Sequence, residues 1–188
     1  MQEVLNQSLN TGASFVVDQM GREKFSEYMH AYGMGEETGV DLPNEVAGNI
    51  RAIEKGVDVD YASASFGQGI AVTPIEMTRA LAVLANQGML PEPHVVTAIR
   101  YGSGFVRNIT PPAQKRVLKP ETVETMANML TEVFDKALLN GELKQERYSI
   151  SAKTGTAQIS IPGGGGYYGD RYLHSFFGYF PSHDPRFI

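Results

Sequence analysis

The heptapeptide Ser151-Ala152-Lys153-Thr154-Gly155-Thr156-Ala157 places a cation, two threonine hydroxyls and a glycine within five positions. Side chains of an extended chain alternate, so Lys153 and Gly155 share one face and Thr154 and Thr156 the other. Lys153 supplies positive potential that favours an anionic substrate, and the hydroxyls can hydrogen-bond a carboxylate. Gly155 leaves its face bare, which lets a ligand lie against the backbone. Far upstream, Ser8-Leu9-Asn10 sets a second hydroxyl two places before a carboxamide. A lone Lys-Thr-Gly is usually a solvated strand end, and a lone Ser-x-Asn a helix cap or turn. The two together carry the argument.

Longer stretches narrow it: Gln7-Ser8-Leu9-Asn10-Thr11-Gly12, Gly39-Val40-Asp41-Leu42-Pro43, and Ser65-Phe66-Gly67-Gln68-Gly69 with Val72-Thr73-Pro74. Phe177-Gly178-Tyr179-Phe180-Pro181 closes the set. With Ser-x-Asn and Lys-Thr-Gly, these resemble the transpeptidase domain of class B penicillin-binding proteins, which cross-link peptidoglycan in division or elongation. The resemblance runs from Val4 to the last residue. It implies an α+β fold of the β-lactamase/transpeptidase type, an antiparallel sheet flanked by helices. It also implies that residues 1–188 form the C-terminal part of such a domain, incomplete at both ends.

The resemblance assigns roles residue by residue. Ser8 is the relay serine of the second signature, passing a proton toward the leaving amine. Asn10 donates to a substrate amide carbonyl and holds the catalytic lysine of the first signature. Lys153 provides the field; Thr154, Gly155 and Thr156 bind the substrate; the Thr156 backbone N–H is one oxyanion donor. The nucleophile signature Ser-x-x-Lys does not occur. Ser8 is followed three places on by Thr11, Ser14 by Val17, Ser65 by Gln68 and Ser149 by Ala152. In the family that serine lies several dozen residues before Ser-x-Asn, so it is expected outside this chain, and this segment alone is expected to be inactive. Stem peptides of peptidoglycan, β-lactam antibiotics and proteins of a division or elongation complex are the implied partners. No cofactor and no metal are implied. An extracytoplasmic domain with its membrane anchor outside this segment is the implied placement.

Composition is consistent with one domain holding a real core, at 188 residues with 42% hydrophobic and 20% charged. A net charge of −5 without a Lys/Arg cluster argues against nucleic acid as a partner. Zero cysteines exclude disulfides, thiolate metal sites and a cysteine nucleophile. No apolar run approaches the roughly 20 residues that span a bilayer, and no signal peptide opens the chain. His30, His94, His174 and His183 are scattered without metal spacing, so surface or packing roles are expected.

The elements that must position these motifs follow from periodicity and punctuation. Apolar spacing predicts helix to about Met20 around Ser8, and a second helix from Arg22 to Tyr32 stopped by Gly33. A glycine-rich, acidic loop is expected to about Asn49. The clearest helix is 74–87, with Thr73 as cap, Pro74 in the first position and Glu76 closing a capping box. Strands near 95–100 and 105–109 should turn at Gly102-Ser103-Gly104. A helix over 120–139 is expected to bury Val123, Met126, Met129, Leu130, Val133 and Phe134. Two strands, 149–161 and 172–180, are joined by Pro162 and four glycines.

Two other functions stay open on the sequence. A serine β-lactamase or β-lactam sensor of the same fold needs a base that activates water, for which Glu36, Glu37 and Glu45 follow Ser8. A non-catalytic peptide-binding or scaffolding remnant needs no nucleophile. A phosphate-binding loop at Lys153 fails because Ala152 stands where glycine must, and no Gly-x-Ser-x-Gly supports an α/β-hydrolase. A sheet lacking flanking strands should aggregate when isolated.

Overall fold

A computed structural model describes residues 1–110 and 112–188. Its helices are α1 (Gln2–Asn6), α2 (Asn10–Met20), α3 (Arg22–Ala31), α4 (Ala52–Lys55), α5 (Asp58–Ala64), α6 (Pro74–Ala85) and α7 (Pro120–Glu132). Its strands are β1 (Met89–Leu90), β2 (Ala98–Arg100), β3 (Val106–Asn108), β4 (Lys115–Arg116), β5 (Ser151–Ser160) and β6 (Tyr167–Tyr179). Among the described residues the strands form three two-stranded antiparallel sheets: β1 with β4, β2 with β3, β5 with β6. The mixed helix-and-sheet class matches the sequence reading. The sheet expected to gather the last strands is the long β5–β6 ribbon, against which α7 packs.

The opening helix is broken. Ser8 adopts φ +53°, a left-handed conformation rare for serine, and splits the predicted segment into α1 and α2. The two pieces close on each other at Gly12, where a Cβ would stand 2.6 Å from a Val4 methyl. Ser8 therefore sits at the tip of a helical corner.

Helix α6 forms as its punctuation predicts. The Thr73 hydroxyl accepts from the Glu76 amide at 3.2 Å, and the Glu76 carboxylate accepts from the Thr73 amide at 3.0 Å. Glu76 does more than cap, being only 1% exposed and accepting also from the Gly35 amide. That bond ties the α3 exit to the start of α6. The helix stops at Ala85, and Gly88, at φ +84°, lets the Leu118 carbonyl approach to a point 2.2 Å from where a Cβ would be. The Gly88 carbonyl then accepts from the Val117 and Leu118 amides, setting β4 beside β1. Sequence reading did not find this pair because two-residue strands carry no periodicity.

Helices α4 and α5 also escaped the sequence reading, being short and flanked by glycine. They complete a core of Val17, Phe25, Met34, Ile50, Ile53, Tyr61, Ala64 and Ala80 under α2 and α3. A second buried group, Val83, Leu130, Val133, Phe134, Ala152 and Tyr179, surrounds α7 and the start of β5. Of the predicted stripe on α7, Leu130, Val133 and Phe134 are buried while Val123, Met126 and Met129 are half-buried. The α-helix ends at Glu132 and passes through one π turn to Ala137, not straight on to Leu139. Strand β6 begins at Tyr167, five residues before the expected Tyr172, because Gly163 to Gly166 make a tight connection. All four glycines have positive φ.

Candidate active site

The site forms where the α1–α2 corner meets β5. Ser8 owes its position to the left-handed turn, which lifts it clear of both helices; backbone strain of this kind collects at functional positions. Lys153 extends from the third position of β5, just beyond Ser151 and Ala152, both fully buried against α7. Ser151 is locked there by its hydroxyl, which donates to the Ala127 carbonyl at 3.1 Å and lies 3.1 Å from the Thr131 hydroxyl. The strand is thus clamped immediately before Lys153, Thr154, Gly155 and Thr156.

The Lys153 ammonium donates to the Ser8 hydroxyl at 2.7 Å and to the Thr154 carbonyl at 3.0 Å. Partial burial pushes the Lys153 ammonium below its ordinary value. An ammonium in this place stabilises negative charge on Ser8 and leaves the serine proton free to be handed on. Two motifs distant in sequence become one hydrogen-bonded unit.

Asn10 opens α2 with an exposed side chain and lines a shallow depression of about 550 Å³ with Thr11, Ser14, Phe15, Asp18 and Phe66. Phe66 belongs to the Ser65-Phe66-Gly67-Gln68-Gly69 stretch, so that segment borders Asn10. On β5, Lys153 and Gly155 are half-buried while Thr154 and Thr156 are exposed, as alternation requires. The face at Gly155 is not bare, however. Its cross-strand partner is Ser175, whose hydroxyl lies 2.6 Å from where a Cβ would stand. A side chain at 155 would have to turn that hydroxyl aside.

Sequence reading missed His174. The register pairs Thr156 with His174, and the Thr156 hydroxyl lies 3.2 Å from the imidazole Nδ1. Only the strand register could have revealed this contact. Of the glutamates weighed as a water-activating base, Glu45 is engaged elsewhere, its carboxylate accepting from the Thr38 amide and hydroxyl and from the Gly39 amide. Those bonds, the Thr38 hydroxyl first, hold the carboxyl below its ordinary range. Among the described residues no group of His, Asp or Glu is arranged to hold a metal ion.

The family model for the penicillin binding protein transpeptidase domain matches residues 1–188. The chain belongs to this family. It is 31% identical to penicillin-binding protein PbpB of Mycolicibacterium smegmatis over 191 residues, which covers 98% of this chain and 30% of that protein. It is also 31% identical to stage V sporulation protein D of Bacillus subtilis, over 99% of this chain and 29% of that protein. The chain thus spans about a third of the length of these relatives. Among solved structures it superposes with TM-score 0.91 on penicillin-binding protein 3 from Mycobacterium tuberculosis, at 29% identity, covering 99% of this chain and 43% of that one. The same protein complexed with ampicillin gives TM-score 0.91 as well.

Proposed function

We propose that residues 1–188 are the part of a peptidoglycan D,D-transpeptidase domain that binds the donor stem peptide and relays protons during acyl transfer through a serine acyl-enzyme. The observation that carries this reading is the 2.7 Å bond from Lys153 to Ser8. The attacking serine and its lysine base belong to a Ser-x-x-Lys signature absent from these 188 residues, and they are supplied by protein beyond them.

In the first half-reaction the nucleophile adds to the carbonyl of a D-alanyl-D-alanine terminus, and the tetrahedral oxyanion is held by backbone N–H groups, that of Thr156 among them. Ser8 donates its proton to the departing D-alanine nitrogen while the Lys153 ammonium stabilises the charge left on its oxygen. Thr154 and Thr156 hold the terminal carboxylate, and Asn10 the stem amide. In the second half-reaction an amine of a neighbouring stem attacks the ester, and Ser8 takes up its proton. β-Lactams enter the same sequence as mimics of the donor. The domain works outside the cytoplasm, anchored by residues beyond this segment and alongside division or elongation partners. No helix among the described residues is long and apolar enough to cross a membrane.

The test is covalent labelling of the full-length protein by a fluorescent penicillin. Wild type should label in a long-lived adduct, with Ser8→Ala and Lys153→Ala slowing labelling at least tenfold. Rapid turnover of the penicillin would replace this reading with a β-lactamase. Absence of any adduct would leave a binding remnant.

A further inference from the structure

We propose that His174 is a positioning residue that decides whether the Thr156 hydroxyl can donate to the carboxylate of the substrate. The inference rests on the reading of Thr156 as a carboxylate ligand. His174 lies on β6 directly across from Thr156, with Nδ1 3.2 Å from Oγ1.

A hydroxyl has one proton to give. When Nδ1 carries no proton, it accepts the Thr156 O–H, and the threonine then presents only lone pairs to an incoming anion. When Nδ1 carries a proton, as in the imidazolium or the Nδ1–H tautomer, it donates to Oγ1. The threonine proton is then free to point at the carboxylate. Protonation of His174 also adds a positive charge beside a site built for an anion. Both effects strengthen carboxylate binding as the imidazole gains its proton.

The surroundings leave this switch to His174. On its own strand the Tyr172 ring neighbours the imidazole, with centroids 6.2 Å apart. Across on β5 the residues of the same face are Thr154, Thr156 and Gln158, none of them charged. Lys153, the nearest cation of β5 in sequence, projects from the opposite face to Ser8. Among the described residues His174 makes no ion pair with a carboxylate.

The experiment uses the full-length protein and compares acylation by a fluorescent penicillin with acylation by the methyl ester of the same penicillin, between pH 5.5 and 8.5. Wild type should acylate faster at the acid end with the free acid, after correction for the general pH dependence seen with the ester. His174→Phe should lose the acid-end gain with the free acid, acylating about fivefold slower than wild type at pH 5.5, the worth of one hydrogen bond, but no slower at pH 8.5, and leave the ester unaffected. His174→Asn, whose amide nitrogen can donate to Oγ1 where Nδ1–H does, should acylate no slower than wild type at pH 8.5 and show no acid-end gain. Equal losses with acid and ester, or an acid-end gain with the free acid that persists in His174→Phe, would overturn the proposal. A second measurement separates it from the transpeptidase reading. The ¹⁵N shifts and titration of the His174 ring in the unacylated protein should change in Thr156→Val; identical titrations would overturn the coupling. Failure of the wild type to form any penicillin adduct would instead sink the reading of the site as an acyl-transfer centre.

Discussion

The Lys153 ammonium and the Ser8 hydroxyl, 145 positions apart, are joined by a 2.7 Å hydrogen bond across the mouth of the site. The bond exists because a left-handed residue breaks one helix and because β5 is clamped by Ser151 just before Lys153. On the proposed reading the charge at Lys153 serves the reaction, and its ionisation should be visible in the pH profile. Burial lowers this lysine from 10.5, so acylation should fall on the alkaline side at a pH below that of an ordinary lysine. Lys153→Arg should move the alkaline limb upward even if the rate drops. The sign for stability is opposite. The folded state binds this proton less tightly than the unfolded chain, so the buried ammonium costs stability at neutral pH, and the cost is relieved as pH rises toward 10.5.

At the other end of the pH scale, Asp41 and Glu45 should govern acid sensitivity of the 38–45 loop. The Asp41 carboxylate accepts from the Val95 and Val96 amides at 2.8 Å each, and these bonds, that from Val95 foremost, hold it below 3.8. Its contribution is complete above that value and is lost as pH falls through the lower folded-state value. Asp41→Asn should lower the hydrogen-exchange protection of the Val95 and Val96 amides at neutral pH toward the protection factor that wild type shows only in acid. Unchanged exchange would show that the loop is held by something else.

Glu76 should be among the costliest substitutions in the chain. Glu76→Ala strands the Thr73 and Gly35 amides and opens a buried space, for a loss of about 2–4 kcal/mol. Glu76→Gln keeps one acceptor and should recover part of that loss. Urea unfolding of the two variants against wild type measures the difference.

Gly155 faces the Ser175 hydroxyl across the ribbon. A methyl at 155 meets the Ser175 hydroxyl at 2.6 Å, a contact relieved by turning that hydroxyl to another rotamer, so Gly155→Ala should cost at most about 1 kcal/mol and slow acylation by obstructing the face at 155. Ser175→Gly in the same protein should recover stability. If the double variant regains folding but not acylation, the open face at 155 serves the substrate as well.

The candidate site residues were legible in sequence because their types are unusual at their spacing: Ser8 with Asn10, Lys153 with Thr154, Gly155 and Thr156. Helix α6 was legible too, since Thr73, Pro74 and Glu76 write its start in local hydrogen bonds that need no distant partner. Alternation along β5 followed from strand geometry alone. Tertiary structure decided everything that depends on which residues lie opposite one another. The break at Ser8, the second partner of Glu76 at Gly35, the Ser175 hydroxyl under Gly155 and the imidazole beside Thr156 all arise from contacts between distant segments. Register across a ribbon, and the approach of a helical corner to a strand, are set by the packing of the whole core. No local pattern of residue types records them.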